Sequence, residues 1–237
     1  MKKSTKSGVA GRVLSILKKV ILYFFIGSIA LVILYRFIPP PITPLMLIRV
    51  GEQIFDSTRD VKLKKNWESY EKISPHMPLA IIAAEDQNFK NHWGFDVKAI
   101  EKAYRNNNKK KRKTIKGAST ISQQLAKNVF LWPARSYVRK AFEAYFTVLI
   151  ELLWSKKRIM EVYMNVVEMG EGIYGVEAAS QKYFHKPASA LTRNEAALIA
   201  AVLPNPRKWS PAKPSSYIRL KQRWIKRNMG RLKDAKL

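Results

Sequence analysis

Glu85 is the first charged residue after the apolar run 79–84 (LAIIAA), and Asp86, Phe89, His92 and Asp96 follow it at short intervals. A carboxylate at the end of a buried helix is partly desolvated, which suits a general base. The plainer alternative is that Glu85 or Asp86 only hydrogen-bonds the loop that follows. A second cluster runs from Lys116 to Lys127 (KGASTISQQLAK) and packs Ser119, Thr120, Ser122, Gln123 and Gln124 at a helix start. Free backbone N–H groups there attract anions, so the pattern points to a sugar or phosphate ligand; a capped helix with a polar face is the competing account. The third cluster is Arg135 to Glu143 (RSYVRKAFE). Arg139 and Lys140 lie four and three residues before Glu143, spacings that bring all three to one helix side. On an exposed helix such pairs contribute little. Here AYFTVLIELLW follows, and polar groups sunk in a core must be paired or used.

Helices must position all three clusters. Ser74-Pro75 opens the main domain, and 79–85 reads as an apolar helix. Asp96 can cap a helix through about Tyr104, Ser119 one over 120–129, and Ser155 one that ends near Gly170. Residues 137–154 and 175–184 read as two more. Thr192-x-x-Glu195 is a capping box before AALIAAVL, which Pro204 and Pro206 close. From Ser215 the pattern is a basic amphipathic helix with Tyr217, Leu220, Trp224 and Ile225. Upstream, Thr43-Pro44 reads as an N-cap and first helical position for an amphipathic segment that lies on a membrane or forms a first core helix. No alternating strand pattern of useful length occurs, so the expected class is all-α. Residues 105–116 hold seven basic side chains in twelve and no acidic one. They read as a solvated loop, either a solubility feature or a lid that orders over an anion.

Composition narrows the partners. The 237 residues carry 44 Lys+Arg against 17 Asp+Glu, a net charge of +27, so an anionic partner is expected. There is no cysteine, which excludes a thiolate nucleophile and Cys-ligated metal, and three histidines without metal-ligand spacing argue against a protein-built metal site. Residues 20–35 run without a charge and are preceded by Lys2, Lys3, Lys6, Arg12, Lys18 and Lys19 with no acid among them. That pattern predicts a retained transmembrane anchor with a cytoplasmic N-terminus; a cleaved signal peptide fits less well, because the apolar run continues past Ala30. The expected plan is a cytoplasmic segment 1–19, an anchor 20–38, a juxtamembrane segment 39–74 and an exported domain 75–237. An exported domain does not normally meet nucleic acid, which leaves membrane and phosphate-bearing lipids as partners.

In this order the clusters resemble the peptidoglycan glycosyltransferases (glycosyltransferase family 51). The family's E-D-x-x-F-x-x-H-x-G-F-D motif is met from Glu85 to Asp96, and its G-x-S-T-I-T/S-Q-Q-x-x-K-N motif from Gly117 to Asn128, with Ala118 where a second glycine is common. R-K-x-x-E is Arg139 to Glu143, the fourth region is 156–170 with Asn165, and the fifth is 191–206. FLWPARSYVRK and YFHKPASALTRNEAALIAAVLPNP resemble the monofunctional members of Gram-negative bacteria.

The resemblance implies a lysozyme-like α fold and polymerisation of lipid II into β-1,4-linked glycan with release of undecaprenyl pyrophosphate. It gives catalytic roles to Glu85, as general base, and to Glu143. Glu143, Lys127, Arg135, Arg139 and Lys140 map to the donor-pyrophosphate region, and Ser119, Gln123 and Gln124 to sugar or phosphate contacts; Asp86, Phe89, His92 and Asn165 complete the substrate-binding set. It implies no required cofactor, with room for Mg or Mn at the pyrophosphate. It places the chain in the inner membrane with a periplasmic catalytic domain, beside other cell-wall synthesis or division proteins. No Ser-x-x-Lys, Ser-x-Asn, Lys-Thr-Gly set is present, so no transpeptidase activity is expected. Two rivals remain at this point: a lytic muramidase on the same fold, and a membrane-tethered basic binding protein that uses neither carboxylate.

Overall fold

A computed structural model of the chain describes residues 6–56, 58, 60–109, 117–134 and 136–232. The chain divides into two units, Met1–Ile38 and Pro39–Leu237. Helix α1 (Lys6–Phe37) dominates the first. Its stretch Gly11–Phe37 holds an 18-residue window with a mean hydropathy of 2.2 and is 27 residues long. At 1.5 Å per residue that is about 40 Å, longer than a hydrocarbon core of about 30 Å. Ile21, Leu22, Tyr23 and Ile26 are exposed. An apolar helix with exposed apolar side chains is consistent with a single-pass membrane anchor.

The second unit is helical wherever the sequence offers caps. Thr43 accepts from the Met46 amide and Pro44 takes the first position of α2 (Pro44–Ile54). Helix α3 (His76–Glu85) buries Met77, Ala80, Ile81, Ile82 and Ala83, so it is apolar on nearly every side. It lies against α9 (Arg193–Val202) and α10 (Ser216–Arg231), which add Ile199 and Val202 and Ile218, Ile225 and Met229 to the same core. The Thr192–Glu195 capping box is present at α9. A second group joins α5 (Ile121–Phe130) to α6 (Tyr137–Leu153) and α7 (Lys156–Val166). Asp96 accepts from the Ala99 amide at the start of α4 (Val97–Lys109), and α8 (Val176–Phe184) follows α7.

The structure departs from the sequence reading in three places. Helix α4 continues to Lys109, past the expected stop at Tyr104, with Glu101 and Arg105 paired one turn apart; residues 110–116 of the basic run lie outside the described residues. The cap of α5 is Thr120 and not Ser119, because Gln123 at the third helical position closes a capping box with Thr120. Finally, α7 stops at Val166, and the chain forms a small sheet instead of reaching Gly170 as helix. In it, β3 (Ile173–Tyr174) pairs antiparallel with β2 (Glu168–Gly170) and parallel with β1 (Lys64–Lys65). Gly172 permits the turn: its φ is +67°, and a Cβ there would lie 2.3 Å from the Lys62 carbonyl oxygen. Segment 39–74 is thereby stitched into the second unit, for Lys65 Nζ also donates to the Pro40 and Pro41 carbonyls.

Candidate active site

Glu85 ends α3 half-buried, delivered by a helix that cannot shift without opening the core. One of its oxygens, Oε2, accepts from Gln124 Nε2 at 3.0 Å. The other makes no hydrogen bond among the described residues. Asp86 is buried and fully engaged, bonded to His92 Nε2 at 2.9 Å and accepting from the Ile121 amide at 3.0 Å, which ties the first motif to the start of α5. Phe89 is wholly buried under Lys156 Nζ, which lies 4.5 Å from its ring centroid and donates to the His92 carbonyl. Asp86, Phe89 and His92 therefore frame the site and leave Glu85 to face it. Gly94 completes the frame. Its φ of +81° and a Cβ position 2.6 Å from Thr147 Cγ2 admit only glycine, and its carbonyl accepts from Thr120.

Two cavities flank Glu85. The first, about 430 Å³, is lined by Glu85, Asp86, Asp96, Lys98, Lys102 and Ser119, among others. Ser119, released from capping, is exposed there. The second, about 650 Å³, is lined by Gln124, Lys127, Asn128, Trp132, Arg139 and the 203–207 segment, together with Arg49 and Glu168. Gln124 belongs to the second cavity and bonds to a residue of the first, so the two meet at the Glu85–Gln124 pair.

Lys127 makes no hydrogen bond or ion pair among the described residues. Burial lowers its pKa from the ordinary lysine value; Glu143 opposes that shift, and Arg139 and Lys140 add to it. Glu143 is 3% exposed, and each of its oxygens is taken, one by Arg139 at 2.5 Å and the other by Lys140. A carboxylate whose two oxygens are both engaged by cations can hold those cations in place. Gln123 Oε1 accepts from the Thr120 amide in the capping box, which ties up the oxygen end of its amide. Asn165 is fully buried: Oδ1 accepts from the Glu68 amide, and Nδ2 donates to the Glu68 and Glu161 carbonyls. It has no polar group left over for a ligand. Arg135 lies outside the described residues.

Sequence reasoning missed Arg49, Glu168, Arg207 and Tyr163. Arg49 bonds Glu52 at 2.6 Å and approaches Glu168 at 3.7 Å, while Arg207 stands 3.6 Å from Glu52. Burial raises the Glu168 carboxyl above its ordinary range against the pull of both arginines. These side chains come from α2, α7, β2 and the loop after α9; Tyr163 and Glu168 lie inside the fourth region, 156–170, and Arg207 directly behind the fifth, which were the signals that could have found them.

A family model described as Transglycosylase matches residues 51–230. The chain belongs to the transglycosylase family. Its domain is accordingly lysozyme-like, and its chemistry is glycosyl transfer. Among similar relatives, the biosynthetic peptidoglycan transglycosylase of Caulobacter vibrioides is 56% identical over 192 residues, covering 81% of this chain and 80% of that one. Its counterpart in Bdellovibrio bacteriovorus is 55% identical, with 87% and 82% covered. That of Bacteroides thetaiotaomicron is 52% identical, with 92% and 87% covered.

Proposed function

We propose that this transglycosylase polymerises lipid II into β-1,4-linked glycan strands. Glu85 accepts the proton of the acceptor's GlcNAc 4-hydroxyl as that oxygen attacks the anomeric carbon of the donor's MurNAc. The new C–O bond forms with inversion, the bond to phosphate breaks, and undecaprenyl pyrophosphate leaves with the electron pair. Lys127, Arg139 and Lys140 offset the charge that builds on the pyrophosphate, while Glu143 holds the latter two in place. The observation that carries this reading is the pairing of cavities at Glu85: a carboxylate with one oxygen unengaged among the described residues on one side, and a lysine and an arginine that share a single acid with Lys140 on the other. A divalent cation, where one takes part, travels with the pyrophosphate; among the described residues no three His, Asp or Glu side chains converge.

The basic N-terminal segment supports an anchor in the inner membrane with its N-terminus cytoplasmic, which puts the catalytic unit on the periplasmic side, where lipid-linked substrate and the growing strand are met. Other cell-wall synthesis proteins are the natural neighbours. The purified full chain is expected to convert lipid II into long glycan without cleaving preformed murein. Release of fragments from murein, with no polymer from lipid II, would make it a muramidase. Unchanged function of Glu85→Gln in cells would make it a tethered binding protein.

A further inference from the structure

The two ends of the Gln124 amide differ only in donor and acceptor character, so its orientation decides what Glu85 meets. Tyr163, on α7, is wholly buried, and its hydroxyl donates to Gln124 Oε1 at 3.0 Å. The amide's Nε2 then donates to Glu85 Oε2, also at 3.0 Å. A reversed amide would set its oxygen against a carboxylate oxygen, acceptor facing acceptor. Burial first, and then the charges of Glu85 and Asp86, push the Tyr163 phenol well above its ordinary value, so it remains a donor at neutral pH.

We propose that Tyr163 is a positioning residue for the general base: through Gln124 it presents Glu85 with one oxygen occupied by a donor and the other left to take the sugar's proton. The proposal rests on Glu85 being that base. The chain of donors runs in one direction, phenol to amide to carboxylate, and each bond polarises the next. Other charges near Glu85 are Asp86 beside it, Lys127 of α5, Lys221 of α10, and Asp96, Lys98 and Lys102 on the first cavity. None of them is altered when only the phenol oxygen is removed.

The test uses the full chain in detergent with lipid II. Tyr163→Phe is expected to lower kcat by about tenfold, the worth of one buried hydrogen bond from the phenol to the Gln124 amide, with KM little changed. The acid limb of its pH–rate profile is expected to move to higher pH, because the carboxylate anion loses an oriented donor. In a Gln124→Met background the same change is expected to add nothing further, since the relay is already cut. A general loosening of the fold lowers the amount of active enzyme and leaves the acid limb in place, so a thermal melt of each variant separates the two effects. Wild-type kcat and acid limb in Tyr163→Phe, or additive losses in the double variant, overturn the proposal while Glu85→Gln stays inactive. Retention of both activity and acid limb in Glu85→Gln overturns the assignment of the base instead.

Discussion

Glu143→Gln tests whether the buried acid of the R-K-x-x-E motif orders cations or moves protons. The side chains of Glu143 and Arg139 are 4% and 12% exposed, so their pair lies out of water, whereas Lys140 is 45% exposed and can be rehydrated. Removing one partner of a buried pair costs about 3–5 kcal/mol. Glutamine keeps one acceptor for Arg139, which puts the expected loss at the lower end of that range. In a domain of this size a loss of about 3 kcal/mol lowers Tm by roughly 6–12 °C. The kinetic effect has a definite sign. Glu143 favours the protonated form of Lys127, so without it Lys127 sheds its proton at lower pH and the alkaline limb of the rate profile moves down. The acid limb is expected to stay, because Glu85 is untouched. Glu85→Gln, in contrast, is expected to lose about 10²–10⁴ in kcat with donor binding nearly intact. Initial rates of lipid II polymerisation from mildly acidic to alkaline pH, with a melting curve for each variant, measure all of this. If the acid limb vanishes in Glu143→Gln and persists in Glu85→Gln, the two carboxylates have been assigned the wrong way round.

Lys127→Met is expected to weaken donor binding and to raise stability at neutral pH. The unfolded chain holds the Lys127 proton more firmly than the folded one, so wild-type stability should rise with pH between the lowered folded value and the ordinary lysine value of about 10.4, and denaturant melts should show no such rise in the variant. Gly94→Ala meets both a positive φ and the Thr147 methyl, and should lose about 1–3 kcal/mol in the same assay; an unchanged midpoint would refute that strain. Asn165→Ala removes three buried hydrogen bonds, two of which join α7 to residue 68, and is expected to lose about 2–4 kcal/mol while KM for lipid II in the surviving fraction stays near wild type. A raised KM without lost stability would return Asn165 to the binding surface.

The helical class and most helix starts were legible because caps are local. Thr43-Pro44, Ser155 and Thr192-x-x-Glu195 act within three residues of themselves. Ser119 and Thr120 show the limit: adjacent hydroxyls compete, and Gln123, three residues after Thr120, decides between them. Strands of two or three residues are too short to alternate, and β1 finds its partner more than a hundred residues away. The site was legible as a set of residue types and less so as a set of roles. Motif sequence does not reveal whether a polar side chain faces a cleft or a core, so Asp86 and Asn165 read as ligand contacts while the fold bonds both ends of each internally. Tyr163, inside the fourth region, went without a role for the converse reason: an aromatic on an apolar helix face reads as packing until its hydroxyl has an address.

Because Gln124 lines one cavity and holds the carboxylate of the other, the two chambers share a wall that can be pulled from either side. Under the proposed mechanism, a small molecule seated beside Lys127 and Arg139 that captures the Gln124 amide takes it from Glu85, and slows the reaction without ever touching that carboxylate. For anyone seeking an antibacterial compound, the more distant chamber is then a handle on the reaction in its own right, and a bound ligand there would announce itself as an altered acid limb rather than as simple competition.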